Sequence, residues 1–434
     1  MILAGKESVF ISEAGGQILR FRIYFSMKTD VSRNRFFPFL RRVGCVAVLS
    51  GMAFFLSDSA FASPQGDFCE LQLRVKRKGA DPAEMRRFAD CLMNGIGTEK
   101  NPNRAMTWYG NAADFGDAGA LEALRKLSRS RIKVPLPKPL VPPGKKFSKE
   151  EERRATIKLL KHLLETHKKH MLRGDIFTKR RYVRPSIPLV QECLRAGANP
   201  HLFIPREELD GGGTATEEVF SFVLTYCDFE LLKLLVANGA DCNLRWRKYL
   251  ERAVRELNTN YKFMEADKRS KEKPKTAEEA KLERASQKRH QETYQMAYRR
   301  LENMLKLGAN PLLLDGSGKT TMGKAWSPPA VRLLMKYGGD INQPNNPDDN
   351  CSGNPGWGDP GRSSPIFDAI LYNEYYGVKA MIDAGADLHF VNADGKTPLD
   401  AAEENARERS GNFKIIADEI VKLIKAAQGR RGRS

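Results

Sequence analysis

Val378-Lys-Ala-Met-Ile-Asp-Ala-Gly-Ala-Asp-Leu-His-Phe-Val-Asn-Ala-Asp-Gly-Lys-Thr-Pro-Leu-Asp-Ala-Ala402 reads as the end of one helix, a polar hairpin and the start of another. Gly385 can take the left-handed conformation that stops a helix without a Cβ penalty. Asp387, two residues on, can bond back to the backbone and set the turn. Thr397-Pro398-Leu399 then opens the next helix.

The same ending recurs upstream as Gly197-Ala198-Asn199, Gly239-Ala240-Asp241, Gly308-Ala309-Asn310 and Gly338-Gly339-Asp340. Each copy follows an apolar helix such as Leu231-Leu232-Lys233-Leu234-Leu235-Val236. Successive glycines are 42, 69, 30 and 47 residues apart. A fixed unit interrupted by insertions is the signature of a repeat array, whose parts cannot bury their apolar faces alone.

The pattern resembles the ankyrin repeat, whose period is about 33 residues. The resemblance runs from Ile187 to Lys425, more than half of the 434 residues. Ser364-Pro365-Ile366-Phe367-Asp368-Ala369 also resembles that family's Thr-Pro-Leu-His-x-Ala helix start. Upstream, Gly95-Ile96-Gly97, Ala105-Met106-Thr107-Trp108-Tyr109 and Ala112-Ala113-Asp114-Phe115-Gly116 resemble the turn, helix and ending of a Sel1-like repeat. The fold class expected is therefore an all-α helical repeat solenoid, a degenerate ankyrin array preceded by a short Sel1-like unit. Both resemblances imply protein binding rather than catalysis, with a partner touching hairpins and inner helices. A hydrolase, as reported for some Sel1-like proteins, is the enzymatic rival.

The domain boundaries expected are 1–62 for a targeting segment, 63–128 for the Sel1-like helices and 129–147 for a proline-rich basic linker. The repeat domain follows at 148–428, with a charged insertion at about 266–291 and a loop insertion at about 345–362. A basic tail closes the chain at 429–434. Arg33, Arg35, Arg41 and Arg42 precede an apolar run from Val43 to Leu56, and Ala60-Phe61-Ala62 has the form of a cleavage site. That order predicts export to the periplasm or beyond, with cleavage before Ser63 and Met27 as an alternative start. The run is shorter than an ordinary membrane span.

The formal net charge is +19. Residues 125–184 carry 20 Lys and Arg against 5 Asp and Glu, whereas residues 185–434 carry 36 against 35. The basic excess predicts a solvated linker and helix face, a surface for an anionic envelope component or a contact for an acidic partner. Nucleic acid is not expected, because the segment has few stacking aromatics and export separates it from that ligand.

No catalytic, metal or cofactor set is expected. Gly316-Ser317-Gly318-Lys319-Thr320-Thr321 resembles the tail of a phosphate loop, but Leu313 stands where that motif needs glycine. Gly318-Lys319-Thr320 lies instead over Gly395-Lys396-Thr397, as a repeat hairpin. His162, His167 and His170 are crowded by Lys161, Lys168 and Lys169, which oppose a cation. Asp348, Asp349 and Asp359 lack the spacing of a calcium loop. Trp357, the large apolar residue of the loop insertion, is the candidate partner anchor. Cys69 and Cys91, 22 residues apart on adjacent helices of an exported chain, are the disulfide candidates. The partner protein is unidentified, and the protein is expected to be a monomer.

Overall fold

The computed structural model describes residues 8–14, 17–23, 64–76, 80–142, 144–171, 184–209, 216–226, 228–244, 248–269, 276–315, 318–345 and 363–431. It divides into two compact units, Met1–Ser63 and Pro64–Ser434. In the first, β1 (Ser8–Ala14) pairs antiparallel with β2 (Gln17–Ile23), Phe10 lying opposite Phe21. The Val43–Leu56 run and the Ala60–Ala62 motif lie outside the described residues. Among the described residues, no helix is long and apolar enough to cross a membrane.

From Pro64 the chain is an all-α helical repeat solenoid. It opens with α1 (Pro64–Val75), α2 (Pro82–Asn94), α3 (Pro102–Asp114) and α4 (Ala118–Arg131). Asp81, Asn101 and Asp117 cap α2, α3 and α4 by accepting from backbone N–H groups of the first turns. Gly97 closes against α1: a Cβ there would stand 2.0 Å from the Pro64 carbonyl oxygen. Trp108 is fully buried, edge-on to Phe88 at 5.0 Å, and Phe88 stacks on Phe68 at 4.9 Å. The small residues Ala105 and Ala112 are buried on the same helix.

Among the described residues six units follow, five of them helix pairs. Unit 1 joins α5 (Lys149–Met171) to α6 (Ile187–Arg195), and unit 2 joins α7 (Val219–Tyr226) to α8 (Phe229–Ala237). Unit 3 is the antiparallel pair α9 (Tyr249–Arg269) and α10 (Ala277–Lys306). At 30 residues α10 is about 45 Å long, so the charged insertion extends these helices as a projection. Unit 4 keeps only a 3-10 turn (Met322–Lys324) before α11 (Pro328–Lys336). Unit 5 joins α12 (Pro365–Leu371) to α13 (Tyr375–Asp383), and unit 6 joins α14 (Pro398–Glu408) to α15 (Gly411–Arg431). One apolar core runs from Phe68 to Ile424, through the first helices and the array alike.

The repeat is visible in its hydrogen bonds. Asn199, Asp241, Asn310, Asp340 and Asp387 each accept, through Oδ1, from the N–H two residues on, at 2.8 to 3.1 Å. The residue at that second position then reaches the next unit. His201 Nε2 accepts from Asp241 N–H at 2.8 Å, Asn243 Oδ1 from Asn310 N–H at 2.7 Å, and Asn342 Oδ1 from Asp387 N–H at 2.7 Å. Between units 3 and 4 the position is held by Leu312, whose side chain cannot accept. There Gln343 Nε2 donates to the Leu312 carbonyl at 2.8 Å instead.

Candidate protein-binding surface

The glycines that end α6, α8, α10, α11 and α13 form a row, all with φ between 89° and 100°. What faces them changes along the array. A Cβ on Gly197 would stand 2.5 Å from the Phe147 ring, one on Gly239 would stand 3.2 Å from the Arg125 guanidinium, and one on Gly308 would stand 2.7 Å from the Ser128 carbonyl oxygen. On Gly338 the nearest atom would be Arg131 Nη2 at 3.8 Å, and Gly385 meets nothing within 4 Å.

The cover is α4 and the proline-rich segment after it. Ser128 Oγ accepts from Asn243 Nδ2 at 2.9 Å, and Lys133 N–H donates to the Lys306 carbonyl at 2.9 Å. Leu140 N–H donates to Asn238 Oδ1 at 2.8 Å. The segment thus runs back along the row from unit 3 to unit 1. Ile132, Val134 and Leu136 turn toward the core while Lys133, Pro135 and Pro137 face out, the two-residue alternation of an extended chain. Burial pushes the Arg125 guanidinium pKa down, against the opposing charge of Asp241. This corrects the expectation of a solvated linker: residues 132–142 lie as a strap along the array, while residues 149–171 form α5 and residues 172–183 lie outside the described residues. The outward lysines 126, 138, 145, 146 and 149 remain in water.

The other candidates resolve as follows. Cys69 and Cys91 are both free, the first exposed and the second half-buried, so the structure lacks the expected bond. The buried faces of their helices are formed by Phe68, Leu71 and Val75 on α1 and by Met85, Phe88, Ala89 and Leu92 on α2. Burial raises the Cys91 thiol pKa, and Asp90 adds to the rise. Trp357, Cys351, Asp348, Asp349 and Asp359 lie outside the described residues. The neck from which their loop leaves is closed: Asn345 N–H donates to the Ser363 carbonyl at 2.8 Å, and Asn345 Nδ2 to Ser363 Oγ at 3.0 Å. His162 Nε2 accepts from Ser186 N–H at 3.1 Å, while the side chains of His167 and His170 lie outside those described.

Gly318-Lys319 is a repeat hairpin. Gly318 N–H donates to the Asp315 carbonyl and Lys319 N–H to Asp315 Oδ1, both at 2.9 Å. Gly395 and Lys396 make the same two bonds to Asn392, at 3.0 and 2.9 Å. Those N–H groups are spent inside the turn, and Lys319 pairs with Asp368 at 3.2 Å.

Two polar clusters escaped the sequence reading because their members are far apart in the chain. His201 Nδ1 lies 2.9 Å from Glu218 and 3.0 Å from Tyr249 Oη, Tyr249 donates to Glu218, and Ser221 donates to it at 2.6 Å. Since Nε2 accepts from Asp241, Nδ1 carries the ring proton. Burial would raise the Glu218 pKa, but the His201 contact and the hydroxyl donors outweigh it and leave the pKa lowered. Lys324 joins Asp315 and Glu251, the latter at 2.8 Å. Burial disfavours its charge, yet the two carboxylates raise its pKa. Both clusters are internal ties between units. A cavity of about 40 Å³ beside Tyr249 and Glu251 has room for water. Among the described residues no three metal-capable side chains gather.

An exposed apolar patch sits on units 5 and 6. Leu371, Tyr372, Phe413 and Ile415 are 54%, 53%, 63% and 59% exposed. Asn373 Nδ2 donates to the Phe413 carbonyl at 2.8 Å, and Arg409 Nη2 to the Leu371 carbonyl at 3.1 Å, tying the two turns together. The half-buried Trp326 ring lies 5.0 Å from Tyr372, with Lys262 Nζ 6.0 Å over it.

No protein-family model matches the chain, and no curated protein is similar to it at a significant level. Among solved structures it is similar to the ankyrin repeat domain of Bcl-3, described as a unique member of the IkappaB protein family. The identity is 15%, the match covers 80% of this chain and 96% of that one, and the TM-score is 0.26. The solenoid architecture stands on the hydrogen bonds and packing described above, not on this likeness.

Proposed function

We propose that the chain is an exported, non-catalytic scaffold that binds another protein through the second half of its helix-pair array. The patch of Leu371, Tyr372, Phe413 and Ile415 carries the reading. Single exposed apolar residues are ordinary, whereas several on two turns tied to each other, with Tyr372 beside a half-buried tryptophan, support a contact surface. The near-neutral charge of residues 185–434 makes shape and apolar anchors the source of affinity there. Trp357, in the segment between Asn345 and Ser363, is proposed as a second anchor for the same partner.

Cross-linking in the native host, with wild-type protein and with a Tyr372→Glu/Phe413→Glu variant, tests the surface. The variant should lose the cross-linked partner at an unchanged melting temperature; an undiminished adduct refutes the patch. Trp357→Ala in the same experiment tests the second anchor. Export predicts Ser63 as the mature N-terminus, and terminal sequencing of the native protein decides it. A soluble chain beginning upstream of Ser63 overturns that part.

A further inference from the structure

The row of helix ends continues beyond α4 and the strap, which together cover its first three members: Arg125 and Ser128 of α4 lie over Gly239 and Gly308, and Phe147 over Gly197. Gly197 and Gly308 are buried and Gly239 half-buried, whereas Gly338 and Gly385 are exposed. The spacing device is the same in both parts. Asn243 accepts from Asn310 N–H at 2.7 Å and donates to the Gly308 carbonyl at 3.0 Å. Asn342 accepts from Asp387 N–H at 2.7 Å and donates to the Gly385 carbonyl at 3.4 Å. An extended chain laid over units 4 and 5 therefore meets the same helix-end spacing that the strap meets over units 2 and 3, with Tyr337 and Ala384 standing where Asn238 accepts from Leu140 N–H.

One of the groups that hold the strap, a helix-end carbonyl, has counterparts there. Lys133 N–H takes the Lys306 carbonyl, two residues before Gly308. The equivalent carbonyls belong to Lys336 and Asp383, and no described residue donates to either. On α4, the Arg125 guanidinium lies over Gly239 near Asp241, whose own carboxyl pKa burial raises. Cations are favoured at helix C-termini by the helix dipole. At the open end, Asp340, Asp383 and Asp387 are exposed around the ends of α11 and α13.

We propose that the helix ends at Gly338 and Gly385 dock an extended segment of a partner protein that has the strap's chemistry, alternating apolar side chains with lysine and proline. The segment donates backbone N–H groups to the Lys336 and Asp383 carbonyls and sets its cations against Asp340 and Asp387. This rests on the binding-scaffold reading and names the partner's recognised element. It uses the C-terminal end of α13, whereas the Tyr372 patch lies at its N-terminal end.

The probe is a fluorescent peptide with the sequence of residues 131–142, Arg-Ile-Lys-Val-Pro-Leu-Pro-Lys-Pro-Leu-Val-Pro, titrated into the full chain. Saturable binding is expected, with hydrogen-exchange protection confined to residues 336–342 and 383–389. Asp340→Asn/Asp383→Asn/Asp387→Asn should weaken it about tenfold by removing three charges near helix ends. Melting should not change, because asparagine already makes the equivalent turns at Asn199 and Asn310. Tyr372→Glu should leave peptide binding intact. The proposal is overturned if the peptide does not saturate, if protection appears only at the covered row, or if the triple variant binds as the wild type does. Peptide failure alongside a partner lost in Tyr372→Glu/Phe413→Glu would sink the groove and leave the scaffold standing.

Discussion

Units 1 to 3 and units 4 to 6 are built from one pattern and live in different surroundings. In the first half the helix ends lie under α4 and the strap, and Asp241 and Asn310 are buried. In the second half Asp340 and Asp387 make the same turns in water. The comparison separates what the repeat needs in order to fold from what its surroundings add.

The sharpest test is a pair of glycines. Gly308→Ala should cost about 4 kcal/mol, combining left-handed strain with a clash against the Ser128 carbonyl. Gly385→Ala keeps the strain, meets open space and should cost about 1 kcal/mol. Urea titration of both variants reads the difference, and equal losses would mean that the strap contributes nothing at Gly308.

Next come the two asparagine rungs. Asn243→Ala leaves the buried Asn310 N–H and the Gly308 carbonyl unpaired, and is expected to cost about 3 kcal/mol. Asn342→Ala exposes the Asp387 N–H to water and should cost about 0.5 kcal/mol. A cost for Asn342→Ala matching that of Asn243→Ala would erase the distinction between the halves.

Glu218 gives the covered half a pH dependence. Its pKa is lower folded than unfolded, so its contribution is present above the ordinary glutamate pKa of about 4.3 and is lost as pH falls through the folded value. Glu218→Gln should cost about 2 kcal/mol at neutral pH. The gap to wild type should narrow in acid; a pH-independent gap would contradict the assignment. A single contact of the strap is tested by Asn238→Ala. It frees one strap N–H, costs about 1 kcal/mol and speeds hydrogen exchange at Leu140 while leaving Lys133 protected.

The array was legible because Gly-Ala-Asx is a local device: the residues that stop the helix also set the turn. The same locality identified Gly318-Lys319 as a hairpin rather than a phosphate loop. Docking of the strap was not legible, although Ile132, Val134 and Leu136 alternate with polar and proline residues. Alternation shows that a chain is extended and one-sided, not what lies beneath it, and Asn238 is 98 residues from Leu140. Unit 4 hid its shortened first helix for another reason. Gly323 interrupts the segment and packs so closely that a Cβ would stand 2.5 Å from Asp368 Oδ2. The Tyr372 patch needed the fold, since its residues come from the α12–α13 turn and the start of α15.

Leu312 has a consequence for how the molecule comes apart. A stack held by nearest-neighbour contacts behaves as a one-dimensional chain of coupled segments and breaks where coupling is weakest. Leucine removes the side-chain acceptor at the junction between units 3 and 4, and the strap's close cover also ends there. The polar ties left include the Lys324–Glu251 pair, the Gln343 bond to the Leu312 carbonyl and the Asn258 bonds to Lys324, Trp326 and Ser327. Units 4 to 6 should therefore open as one cooperative block while units 1 to 3, with α1 to α4 bound to them, stay closed. Hydrogen exchange under mild denaturant would show two plateaus of opening free energy, divided near residue 312. Leu312→Asn, by offering the missing acceptor to Asp340, should draw the two plateaus toward a single transition.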